Sequence, residues 1–171
     1  MPEDGPRLVS ARFAIAGAET IAAAALHRAT AQGEHEAVAR PVDLETAVDV
    51  LGGKIEFESG EEGRETEVLT HLLRTATAET VRGHFRGIDF GLLVQAIESG
   101  AMITTGERVT ARDFLTGLPV LGESELYDEV CDRLGATNDG QRAGAIELAL
   151  EGLYLARKIG KDSDGAETVY G

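Results

Sequence analysis

Arg12 is the residue of this chain best placed to meet a charged ligand. It stands where an alanine-rich helical pattern begins. An arginine at such a point offers a planar, permanently charged fork to a phosphate, and the helix N-terminus adds its own partial positive charge. The other chemically capable side chains carry less. Cys131 is the only cysteine, so no intrachain disulfide can form, and Asp128, Glu129 and Asp132 beside it push a thiolate in the unreactive direction. It reads as a small, half-buried helix residue. His27, His35, His71 and His84 include no i, i+4 pair and have no cysteine cluster near them, so a metal site is not expected. The pairs Glu61-Glu62 and Asp162-Asp164 fall in glycine- or serine-containing turns, and Asp162-Ser163-Asp164-Gly165 lacks the glycine and glutamate that an EF-hand loop needs in register. Glu147 and Glu151 lie four apart on a helical pattern closed by Arg157-Lys158, which suits the helix dipole or the docking of a partner domain. A P-loop is missing from the sequence: Gly53-Lys54 is followed by Ile55 and has Val48 where the first glycine belongs.

The elements that must position these residues are mainly helical. Ile15, Ala18, Ala22, Ala25, Leu26 and Ala29 recur at helical spacing up to a stop at Gly33, and this small-residue face allows close packing. After Pro41, Asp43 is expected to cap a second helix that ends at Gly52-Gly53. Lys54 to Glu58 alternates polar and apolar side chains as a short strand, and Gly60-Glu61-Glu62-Gly63 reads as a boundary. Helices are then expected over 64–85, 90–98, 110–118, with Thr110 and Asp113 in capping-box-like spacing, and 124–134, capped by Ser124. A last helix over 139–159 is apolar on two sides and belongs in the middle of a bundle. The tail Glu167 to Gly171 looks extended and could pair with the Ile55 strand. The expected fold is therefore mainly α with at most a two-stranded β element, divided into a helical unit over 1–60 and a helical domain over 61–171.

Composition narrows the function. With 171 residues, 43% of them hydrophobic, the chain can bury a real core. A net charge of −14 repels polyanions, which argues against nucleic acid and anionic membranes as partners. No apolar run reaches the length of a membrane span, and Met1-Pro2-Glu3-Asp4 has no basic n-region, so a cytoplasmic protein is expected.

Several stretches carry a resemblance. Val9-Ser10-Ala11-Arg12-Phe13, the helix that follows with Arg28, and Gln32-Gly33-Glu34 resemble the lid of the magnesium chelatase I subunit-like and MoxR-like AAA+ ATPases. Arg40-Pro41-Val42-Asp43-Leu44, Gly53-Lys54-Ile55-Glu56-Phe57, the run from Ala145 to Lys158 and the ending Thr168-Val169-Tyr170-Gly171 look like the C-terminal region of the same proteins. The stretch from about 83 to 122 carries no recognised motif, and Phe13 stands where a leucine is common. The resemblance implies a ring-forming ATPase in which Arg12 is the sensor 2 residue. ATP and Mg2+ would be held by an upstream core, none by this chain alone, since Walker A, Walker B, sensor 1 and arginine-finger motifs do not occur in it. Implied partners are that core, neighbouring ring subunits and a protein with a von Willebrand A-type domain, and the implied activity is metal insertion or protein remodelling. The alternative is a stand-alone acidic helical module that binds other proteins without catalysis.

Overall fold

The computed structural model describes residues 11–52 and 63–171, with side chains from residue 13 onward in the first stretch. Among them are seven helices, α1 Ala11–Gln32, α2 Pro41–Gly52, α3 Glu65–His84, α4 Gly91–Glu98, α5 Ala111–Thr116, α6 Leu126–Arg133 and α7 Asp139–Leu155. Three short strands, β1 Ile103–Gly106, β2 Lys161–Ser163 and β3 Glu167–Tyr170, form one antiparallel sheet in the order β1-β3-β2. The chain is mainly α, as expected, but the β element has three strands rather than two.

β3 is the central strand, pairing Ile103 with Tyr170 on one side and Lys161 with Tyr170 on the other. Both edges of the tail are thus occupied, by partners other than the Ile55 segment, and residues 54–58 lie outside the described residues. β1 passes through the stretch without a recognised motif. Its Gly106, at φ 144°, is the point of closest approach: a Cβ there would collide with the carbonyl oxygen of Ala166.

Local sequence explains the helix ends. α1 stops at Gly33, whose φ of 68° is open to glycine at little cost. α2 begins two residues before the expected cap, because Pro41 supplies a preset φ at the first helical position. Asp43 instead reaches back from inside the first turn, where its Oδ2 accepts the Arg40 N–H at 2.8 Å. Thr110 caps α5 by accepting from the Asp113 N–H at 3.0 Å, and Asn138 and Gln141 form a capping box on α7.

α7 is the central helix and packs on α2, α3, α5 and α6. The larger core gathers Phe85, Leu93, Ile103, Phe114, Ile146, Leu150 and Tyr170 around it. Gly152 lets α3 come close, since a Cβ there would run into the Val81 methyls. A second, smaller core of Ala47, Val48, Leu51 and Leu69 lies between α1, α2 and α3. α1 buries Ala25 and Ala29 but leaves Ile15 and Leu26 more than half exposed, so the apolar face expected to pack is split between core and solvent.

Candidate functional site

Arg12 lies in the first turn of α1, while its side chain is outside the described residues. What is described is the machinery at the other end of that helix. Arg28, buried about one turn before the end of α1, forks onto Asp43: Nε donates to Oδ1 and Nη2 to Oδ2, both at 3.1 Å. Its Nη1 donates to Glu34 Oε2 at 3.0 Å and Nη2 also to the Val38 carbonyl at 2.7 Å. Glu34 completes the link, accepting the Ala111 N–H at the start of α5 on its other oxygen at 2.7 Å.

A second buried arginine continues the chain of contacts. Arg40 donates through Nε to Glu147 Oε2 at 3.0 Å, through Nη2 to Glu147 Oε1 and Thr105 Oγ1, and through Nη1 to the Val109 carbonyl at 2.9 Å. Thr105 also donates to Glu147. Burial opposes the charge of Arg40, but the bond to Glu147 and the charges of Glu147, Glu34 and Asp43 outweigh it and hold the guanidinium above its ordinary pKa. Asp43 thus serves both arginines, by its carboxylate to Arg28 and to the backbone of Arg40. The result is a continuous polar seam from α1 through α2 to β1 and α7, crossing the expected division at residue 60. No side-chain N or O buried among the described residues is left without a partner. This completeness is what makes buried charge tolerable, because a half-satisfied pair costs more than an apolar replacement.

Glu147, which the sequence offered to the helix dipole or to a partner domain, is 1% exposed and bound within the chain to Arg40. Glu151, one turn on, is half-buried. It accepts from Lys161 Nζ at 3.0 Å and from the Tyr170 hydroxyl at 2.7 Å, while Lys161 reaches Glu45 at 3.3 Å. Lys161 sits over the rings of Tyr154 and Tyr170, at 5.6 and 5.9 Å. Burial and the nearby carboxylates of Glu151, Glu147 and Glu45 push the Tyr170 phenol well above its ordinary pKa. Beside this cluster a cleft of about 350 Å³ runs between α2 and α3, floored by Leu44, Val48 and Leu73 and edged by Arg74 and Lys161.

The remaining sequence candidates resolve simply. Cys131 is fully buried rather than half-buried, and its thiol is pushed up first by burial and then by Asp128 and Asp132, against the pull of Arg142. Among the described residues no group of three or more histidine, cysteine, aspartate or glutamate side chains is arranged to hold a metal ion. No helix among the described residues is long and apolar enough to cross a membrane. Searches of family models, curated proteins and solved structures find no match to this chain.

Proposed function

We propose that the chain is the lid and C-terminal helical part of an AAA+ ATPase similar to the magnesium chelatase I subunit and MoxR-like proteins. The observation that carries the proposal is the position of Arg12 in the first turn of α1, a long helix whose far end is bound into the body by the Arg28–Asp43 and Arg40–Glu147 pairs. The sequence resemblance at both ends of the chain supports it. ATP and its magnesium would be held by a core preceding this chain, and hydrolysis there would supply the loss of a negative group that Arg12 could sense. Arg12 acts as the sensor of that group. Its release lets the 18–32 part of α1 turn against the core, and the bundle after Gly63 passes the motion on. The work done is metal insertion or protein remodelling with a von Willebrand A-type partner, of which remodelling is the broader role.

A second reading, an acidic helical interaction module without catalysis, is favoured by one observation: Ile15 and Leu26 are 58% and 60% exposed on α1. Immunoblotting native lysate with an antibody against this chain separates the two. A band well above the 18.1 kDa of the chain, in a fraction that hydrolyses ATP, is expected for the ATPase. A band at that mass, without ATP hydrolysis in the fraction, overturns the proposal and leaves the module.

A further inference from the structure

The cleft between α2 and α3 has two unlike walls over an apolar floor. Leu44, Val48 and Leu73 form the floor, and Val48 and Leu73 also pack in the small core beneath it. The α3 wall is made of donors. Thr70, Arg74 and Thr77 share one face of the helix and line the cleft, with Thr66 one turn before them. Elsewhere on α3 the same residue types are satisfied within the chain. Thr75 and Thr80 donate to the carbonyls of His71 and Ala76 at 2.9 and 2.8 Å, and Arg64 and Arg82 pair with Glu67 and Glu79 at 3.1 and 3.0 Å. Arg74 has Thr70, His71, Thr77 and Ala78 three and four residues away, and none of them is an acid. Among the described residues, neither its guanidinium nor the hydroxyls of Thr66, Thr70 and Thr77 have a hydrogen-bond or ion-pair partner.

The α2 wall carries the opposite sign. Glu45 and Asp49, four residues apart, both line it. Glu45 is engaged by Lys161 at 3.3 Å, whereas Asp49 is exposed and has no ion-pair partner among the described residues. Lys161 stands in the same lining, but its charge is already met by Glu45 and Glu151. One cation, Arg74, and one anion, Asp49, therefore share a cavity without pairing with each other. A net anion such as a nucleotide would meet Glu45, Asp49 and Glu151 here, and a net cation would meet Arg74 and Lys161. A ligand bearing one charge of each sign and an apolar body satisfies both walls and the floor. The volume of about 350 Å³ is the space of about a dozen water molecules, which suits an amino acid or a dipeptide.

We propose that this cleft binds a zwitterionic α-amino acid or dipeptide with apolar side chains. Its carboxylate accepts from Arg74 and from the Thr70 and Thr77 hydroxyls, its ammonium donates to Asp49, and its side chain lies on Leu44, Val48 and Leu73. Both polar ends then make charge-assisted hydrogen bonds, and the apolar body leaves water. The ligand goes beyond the nucleotide role and does not depend on it.

The test titrates the intact chain calorimetrically with leucine and with leucyl-leucine, the tighter of the two giving the length of the ligand. N-acetyl-leucine, which lacks the ammonium, and leucinamide, which lacks the carboxylate, are each expected to bind at least about 10-fold more weakly than leucine, as the loss of a hydrogen bond to a charged group requires. Arg74→Gln should weaken leucine by about 10-fold and leave it no tighter than leucinamide, and Asp49→Asn should do the same relative to N-acetyl-leucine. Both residues are exposed on their helices, so the variants keep the fold, which circular dichroism checks. Amide shifts on binding should be confined to 44–49, 66–77 and Lys161. No binding of leucine or leucyl-leucine up to about 10 mM, affinity unchanged in both variants, or N-acetyl-leucine binding as tightly as leucine would overturn the site.

Discussion

The body of the molecule and its α1–α2 unit are held together by different physics. Around α7 the core uses large apolar side chains, Leu93, Ile103, Phe114, Ile146, Leu150 and Tyr170, each 2% exposed or less. Between α1, α2 and α3 the core is small, Ala47, Val48, Leu51 and Leu69; the buried Arg28–Asp43 pair ties α1 to α2 within the unit, and the buried Arg40–Glu147 pair ties the unit to α7. Apolar packing is cheap to keep and non-directional. A buried arginine–carboxylate pair adds little net stability but is strongly penalised when broken, so it fixes one arrangement. A unit attached that way holds its position closely until a partner charge is lost.

The largest expected effect comes from breaking the seam. Glu147→Ala leaves Arg40 buried without its carboxylate and should cost about 3–5 kcal/mol in denaturant unfolding, with α1 and α2 losing exchange protection before α7. A loss under about 1 kcal/mol would place the attachment in apolar contact after all. Gly152→Ala probes the other side of the contrast. The added methyl meets the Val81 side chain, and overpacking of the α3–α7 crossing should cost about 1–3 kcal/mol without changing exchange in α1 relative to the rest. Asn138→Ala removes the α7 capping box and should cost about 1 kcal/mol, again in the body.

The smallest effect appears only in alkali. Burial pushes Tyr127 up to about 12, and burial with Glu151 raises Tyr170 further. A phenol with a raised folded pKa contributes stability fully present below its unfolded value near 10, and that contribution is lost as pH rises from there through the folded value. Absorbance titration should therefore show these two tyrosines ionising later in the folded chain than in urea, with stability falling above about pH 10. Coincident titration curves would contradict the burial of both phenols.

Much of the fold was legible because helices announce themselves locally. The periodic apolar residues of 64–85 and 139–159, the stop at Gly33 and the Thr110 cap all act within a turn or two of the chain. Asp43 stands out as a helix start more than Pro41 does, although the missing N–H of Pro41 costs nothing there. β1 is hidden in the sequence because Ile103-Thr104-Thr105-Gly106 is too short for an alternating pattern to stand out, and its pairing with 167–170 is fixed only by the tertiary fold. The seam is the least legible part. Arg40 and Glu147 are 107 residues apart, and Glu147 on a helix with Glu151 looks like an ordinary solvated acid. Only the placing of an acid amid Ile146, Ala149 and Leu150 hints that its own side of the helix is buried. Arg28 and Arg40 fall within the resembling stretches, but their carboxylate partners cannot be read from spacing.

The most direct test of the proposed role is the effect of Arg12→Ala on ATP turnover by the native protein that carries this chain, measured at saturating ATP with the fold checked by circular dichroism. A charged donor acting on the reacting phosphate predicts a fall on the order of 100-fold with the fold intact, and only partial recovery with Arg12→Lys. Unchanged turnover in Arg12→Ala would contradict the sensor assignment and with it the lid reading.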